Sequence, residues 1–150
     1  MKRLIVGLLA MMAFSSTAFA DVIIIANKNV PENTLSRKEI KEIFLGKRVQ
    51  WGDHSRIHVA TVRDVGIHKM FLKQYLNKSR AKWKSYWKRM VFTSRGVPPR
   101  SVNTEAELIA YVTETEGAVG YVLSERIQEE SQAAGRPLHK RTGRSDQRSG

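Results

Sequence analysis

Two Ser/Thr-x-x-Glu boxes, Ser36 to Glu39 and Thr104 to Glu107, mark where two helices of this chain must start. In each box a hydroxyl can accept the N3 amide while the glutamate reaches back to the cap. Leu35 and Ile40 flank the first box at the positions of a hydrophobic staple, and Ile40, Ile43 and Phe44 fall on one helical face. The spacing predicts a helix from Arg37, closed by a left-handed residue at Gly46. Between and around the boxes lie short β-branched runs, Val22 to Ala26, Ile57 to Val62 and Ala118 to Val122, which read as strands.

Two more helices are expected between the second and third strands. One runs from about Val65 to Leu76, with Ile67, Met70, Phe71 and Tyr75 inward. The other carries Trp83, Tyr86, Trp87, Met90 and Val91 at i, i+3, i+4, i+7 and i+8, and those five residues read as core anchors, contributing on the order of 10 kcal/mol before ordering entropy. Gly96, Pro98 and Pro99 break the chain into a loop. The Thr104 helix ends at Gly117, and Ser124 to about Ala133 is expected to form a weaker helix. Strands separated by helices imply an α/β domain, with helices covering a small sheet.

The ends have a different character. Lys2 and Arg3, the uncharged run Leu4 to Phe14 and the small-residue ending Ala18-Phe19-Ala20 are the three parts of a secretory signal peptide. The run is shorter than the roughly 20 apolar residues that span a bilayer. Three segments are expected: a signal peptide over 1–20, one α/β domain over 21–134, and a disordered basic tail over 135–150. The protein then acts in the periplasm or outside the cell, with no transmembrane segment in the mature chain. There is no cysteine, which excludes disulfides and thiolate chemistry. The mature chain holds 24 Lys and Arg against 14 Asp and Glu, with ten bases and no acid between Val65 and Thr104. Such a stretch is either a solvated helix face or a basic surface that meets a polyanion or a partner protein.

Enzyme chemistry finds little support. His54, His58, His68 and His139 have no metal-ligand spacing, and neither Ser94 nor Ser101 belongs to a nucleophile elbow. No cofactor is implied. One ligand site suggests itself where the second strand ends at Arg63 and Asp64-Val65-Gly66-Ile67-His68 leads into a helix. The first amides of a helix lack internal partners and favour an anion, and an arginine fork can add to them. Arg63, Asp64, Gly66, Ile67 and His68 are therefore the expected anion-binding residues. The competing reading pairs Arg63 with Asp64 or Asp53 at a strand end.

Ile43-Phe44-Leu45-Gly46-Lys47 followed by Trp51, Val62-Arg63 before a helix with Phe71, and Gly117-Ala118-Val119-Gly120-Tyr121-Val122 occur in an order that resembles the periplasmic phosphate-binding proteins of ABC transporters. The resemblance spans roughly Val22 to Val122. It implies one lobe of the periplasmic-binding-protein type II fold, in which two α/β lobes close on an oxyanion. The motifs match the second lobe, and the Ser-Gly-Thr turn that follows the family's arginine and acidic residue is absent. The implied function is an exported, non-enzymatic, substrate-binding-protein-like domain that holds phosphate or another oxyanion weakly. A second protein or a second copy would replace the missing lobe, and nucleic acid is not an expected partner. The alternative is a basic periplasmic module that contacts a polyanion or a partner protein.

Overall fold

The computed structural model describes residues 21–125 and the pair 140–141. In chain order the strands are β1 (Val22–Ala26), β2 (His58–Val62), β3 (Arg100–Val102), β4 (Ala118–Leu123) and β5 (Lys140–Arg141). They form one mixed sheet in the order β3-β2-β4-β1-β5. β2 lies parallel to β3 and to β4, whereas β1 runs antiparallel to β4, with Val22 opposite Leu123 and Ala26 opposite Val119. All five residues of β1 are buried, which is why that run is continuously apolar instead of alternating.

The helices are α1 (Arg37–Phe44), α2 (Val65–Phe71), α3 (Arg80–Phe92) and α4 (Glu105–Glu114). α1 starts where its box predicts: Ser36 Oγ accepts the Glu39 amide at 3.2 Å, and the Glu39 carboxylate accepts the Ser36 amide at 2.8 Å. Leu35 and Ile40 are both buried beside it. Gly46 is left-handed at φ 70°, and an added Cβ would sit 2.8 Å from the Trp87 ring. Gly117 is left-handed too, at φ 73°, and a Cβ there would meet the Arg56 carbonyl oxygen at 2.2 Å.

Three details depart from the periodicity. α2 does not run evenly to Leu76 but passes into one turn of π-helix, Leu72–Leu76, stopped by left-handed Asn77. The wider turn buries both Leu72 and Leu76 while Gln74 and Tyr75 bond to the Val22 backbone. In α3, Trp83 and Trp87 are buried, with Tyr86 and Met90 packed on the core, but Val91 is half exposed. Eight residues of helix turn Val91 about 80° from Trp83, past the edge of the apolar stripe. β3 falls where the sequence offers no strand signal, because Arg100-Ser101-Val102 has one buried side chain and two exposed ones.

The centre of the core is aromatic, with Phe71 stacked on Tyr121 at 4.0 Å between centroids and Phe44 tilted against Phe71 at 4.6 Å. The expected signal peptide and most of the expected helix after Ser124 lie outside the described residues. So does the basic tail apart from β5, whose Lys140 and Arg141 pair with Ile25 and Ile24 on the open edge of β1. No helix among the described residues is long and apolar enough to cross a membrane.

Candidate anion-binding site

β2 and β3 run parallel and end together, at Val62 and Val102, and Arg63 follows at once with its amide donating to Val102 O at 2.8 Å. Its side chain crosses the end of β3. Nε donates to Ser101 Oγ at 3.3 Å and Nη1 to Asn103 Oδ1 at 3.2 Å. Arg63 therefore pairs with neither Asp64 nor Asp53. Two neutral acceptors orient the guanidinium and leave its charge unneutralised, and Nη2 has no partner among the described residues.

Asp64 takes the N-cap of α2. Its Oδ1 accepts from the amides of Gly66 at 3.0 Å and Ile67 at 3.1 Å, and its carbonyl oxygen accepts from His68 N. The attraction of a helix start for negative charge is thus already met by the chain's own carboxylate. Gly66 is exposed in the first turn, while Ile67 is half-buried and packs against the core.

His68 turns inward. Its Nδ1 lies 2.5 Å from Tyr121 Oη, and its ring meets the Trp83 ring edge-on at 5.7 Å. Tyr121 Oη also accepts from the Val62 amide at 3.3 Å. Burial, and then the nearby positive Arg80, hold the His68 imidazole below its ordinary value, while burial pushes the Tyr121 phenol up. Of the five expected residues, Arg63, Asp64 and Gly66 share the exposed strand end, whereas the side chains of Ile67 and His68 serve the core.

Ser101 and Asn103 belong to this site and were missed by sequence reasoning. The signal was the alternation of polar residues around Val102, legible only once Arg100–Val102 is known to lie beside β2. Among the described residues no three His, Asp or Glu side chains gather as a metal site would require.

No family model matches the sequence, and a search of curated proteins finds no match. Solved structures do match, and they define the class: the chain has the fold of one lobe of a phosphate ABC transporter substrate-binding protein. PstS from Borrelia burgdorferi is similar with a TM-score of 0.64 and 14% identity, covering 87% of this chain and 49% of that one. A protein from Planctomyces limnophilus described as a possible phosphate-binding protein gives 0.61 and 14%, covering 87% and 44%. A protein from Clostridium perfringens assigned to the phosphate ABC transporter substrate-binding proteins, solved with phosphate bound, gives 0.53 and 21%, covering 70% and 40%. The likeness is one of fold, and the chain spans less than half the length of each of these proteins.

Proposed function

We propose that this chain is an exported, non-enzymatic domain that binds a small oxyanion, phosphate or one of similar shape, at the common end of β2 and β3. The observation that carries the reading is Arg63: an exposed guanidinium, held in place by Ser101 and Asn103 and paired with no carboxylate among the described residues. An oriented arginine fork suits a tetrahedral or planar oxyanion, because two parallel N–H donors match two oxygens. The fold supports the same reading, since the neighbours are phosphate-binding proteins by description and one was solved with phosphate bound. A signal peptide over 1–20 directs the domain over 21–134 to the periplasm or beyond, and residues 135–150 form a basic tail.

Asp64 limits the affinity. Its carboxylate occupies the Gly66 and Ile67 amides and sets a negative charge beside the arginine. Binding to the single lobe is therefore weak, and tight binding would require a second copy or a partner protein as the other wall in place of a second lobe. Calorimetric titration of phosphate and sulfate at fixed ionic strength tests this. Arg63→Ala should weaken binding roughly tenfold to a hundredfold, the worth of one charge-assisted hydrogen bond. Asp64→Asn, which retains a good N-cap while removing the charge, should tighten it. Absence of any binding at millimolar anion would remove the proposal.

A further inference from the structure

At the opposite end of β2 from Arg63, where β2 and β3 begin, a cleft of about 540 Å³ opens under the loop that leads into β3. The length of β2 separates it from Arg63 by roughly 15 Å. Arg48, Arg56, Arg95 and Arg100 line it, and no Asp or Glu among the described residues does. Arg48 is ion-paired with Glu32 and Glu39, and Arg100 lies over the Tyr111 ring at 5.0 Å. Arg56 and Arg95 are exposed and have neither an ion pair nor a side-chain hydrogen bond among the described residues. Arg56 also borders a smaller recess with Asp53 and Glu116, and ion-pairs with neither.

The rest of the lining is apolar. Ile43 and Trp87 form part of the wall, Val49 is 59% exposed and Val97 75% exposed. Trp87 also holds a buried indole N–H with no acceptor among the described residues. With Arg48 met by its two glutamates, the guanidinium groups of Arg56, Arg95 and Arg100 around one concavity repel one another, and an anion relieves that repulsion. Guanidinium forks match carboxylate and phosphate heads, and the volume falls in the range of small-molecule sites. The apolar lining sets a second requirement that an inorganic ion cannot meet, because only an apolar body gains by covering Val49, Val97 and the Tyr111 ring.

We propose that this cleft binds an organic anion, an aromatic or aliphatic body with a carboxylate or phosphate head, at a site separate from Arg63. The head lies against Arg56 and Arg95, and the body lies along Trp87, Val97 and Tyr111. The probes are phenylacetate, phenyl phosphate, inorganic phosphate and benzyl alcohol, titrated at constant ionic strength into the ¹⁵N-labelled exported protein. The Trp87 indole N–H and the Gly96 and Val97 amides are followed by NMR. The expected result is saturable shifts at these three groups with one or both aromatic anions and none with benzyl alcohol. The stronger of the two identifies the head group. Arg56→Gln combined with Arg95→Gln should weaken binding at least about tenfold with the thermal midpoint unchanged, whereas Arg63→Gln should leave it intact. The proposal is overturned by the absence of saturable shifts up to about 20 mM of either anion. Equal shifts with benzyl alcohol, or equal weakening by Arg63→Gln, would overturn it as well, the latter because a general charge field would then be responsible.

Discussion

At the scale of single residues, His68 separates what spacing can say from what packing decides. It follows Arg63 by five positions in a helix-opening segment, so proximity in sequence suggested a ligand, yet the turn of α2 aims its ring at Tyr121 and Trp83. The sequence could not show this, because the partner tyrosine lies 53 residues away. The consequence is a pH dependence of stability. The folded imidazole titrates below its ordinary value of 6.5, so between the two values the unfolded chain binds more protons than the folded one. The contribution of His68 is therefore complete above about pH 6.5 and is lost as pH falls through the folded value. Urea unfolding from about pH 8 down to about pH 5 should show falling stability in wild type and a flatter profile in His68→Gln. Glu39 and Asp53, held low by the Ser36 amide and the Ser55 hydroxyl respectively, titrate further to the acid side. An identical slope in both proteins would show that His68 is not the titrating group.

At the scale of elements, local signals survived where the chain satisfies its own polar groups nearby. The Ser36 box is complete, but the Thr104 box is half formed: Thr104 Oγ1 accepts the Glu107 amide, while the Glu107 carboxylate takes the Asn103 amide. β3 and the π-turn were illegible because both depend on distant partners, β2 for one and the Val22 backbone for the other. Asn27 shows the same dependence at the end of α4. Its side-chain amide, buried at the end of β1, donates to Val112 O at 2.9 Å and Thr113 O at 3.0 Å, and its Oδ1 accepts from the Asn29 amide. Those carbonyls belong to the last turn, which has no internal donors left to offer them. Asn27→Ala should cost about 2 to 3 kcal/mol, the penalty of leaving buried backbone groups unpaired. Chemical denaturation measures the loss, and hydrogen exchange should rise first in the last turn of α4. A change below about 0.5 kcal/mol would mean that water replaces the amide without penalty.

At the scale of the whole molecule, the residues that carried the family resemblance explain why the fold was easier to read than the site. Phe44, Trp51, Phe71, Val119 and Tyr121 are all buried, so the pattern they share with phosphate-binding proteins is a packing pattern, which reports a core and not a ligand. Lys47 and Arg63 are exposed exceptions, and the oriented guanidinium of Arg63 reaches an anion from one side only. One or two charge-assisted hydrogen bonds, at about 1.5 to 3 kcal/mol each, must offset the lost freedom of the bound ion. Even two such bonds, about 6 kcal/mol at most before that cost, leave no more than the roughly −4 kcal/mol of a dissociation constant of about 1 mM, so binding is expected at that value or weaker. In a single lobe acting alone, that constant should not depend on protein concentration. Calorimetry of phosphate binding at two protein concentrations, paired with sedimentation velocity, makes the comparison. The expected outcome is the same weak constant and an unchanged sedimentation coefficient at both. If the constant tightens and a heavier species forms as protein concentration rises, a second copy is closing over the anion, because dimer formation and binding are then linked by mass action. If binding is already sub-micromolar in the dilute monomer, one arginine cannot account for it, and groups beyond Arg63, Ser101 and Asn103 must hold the anion.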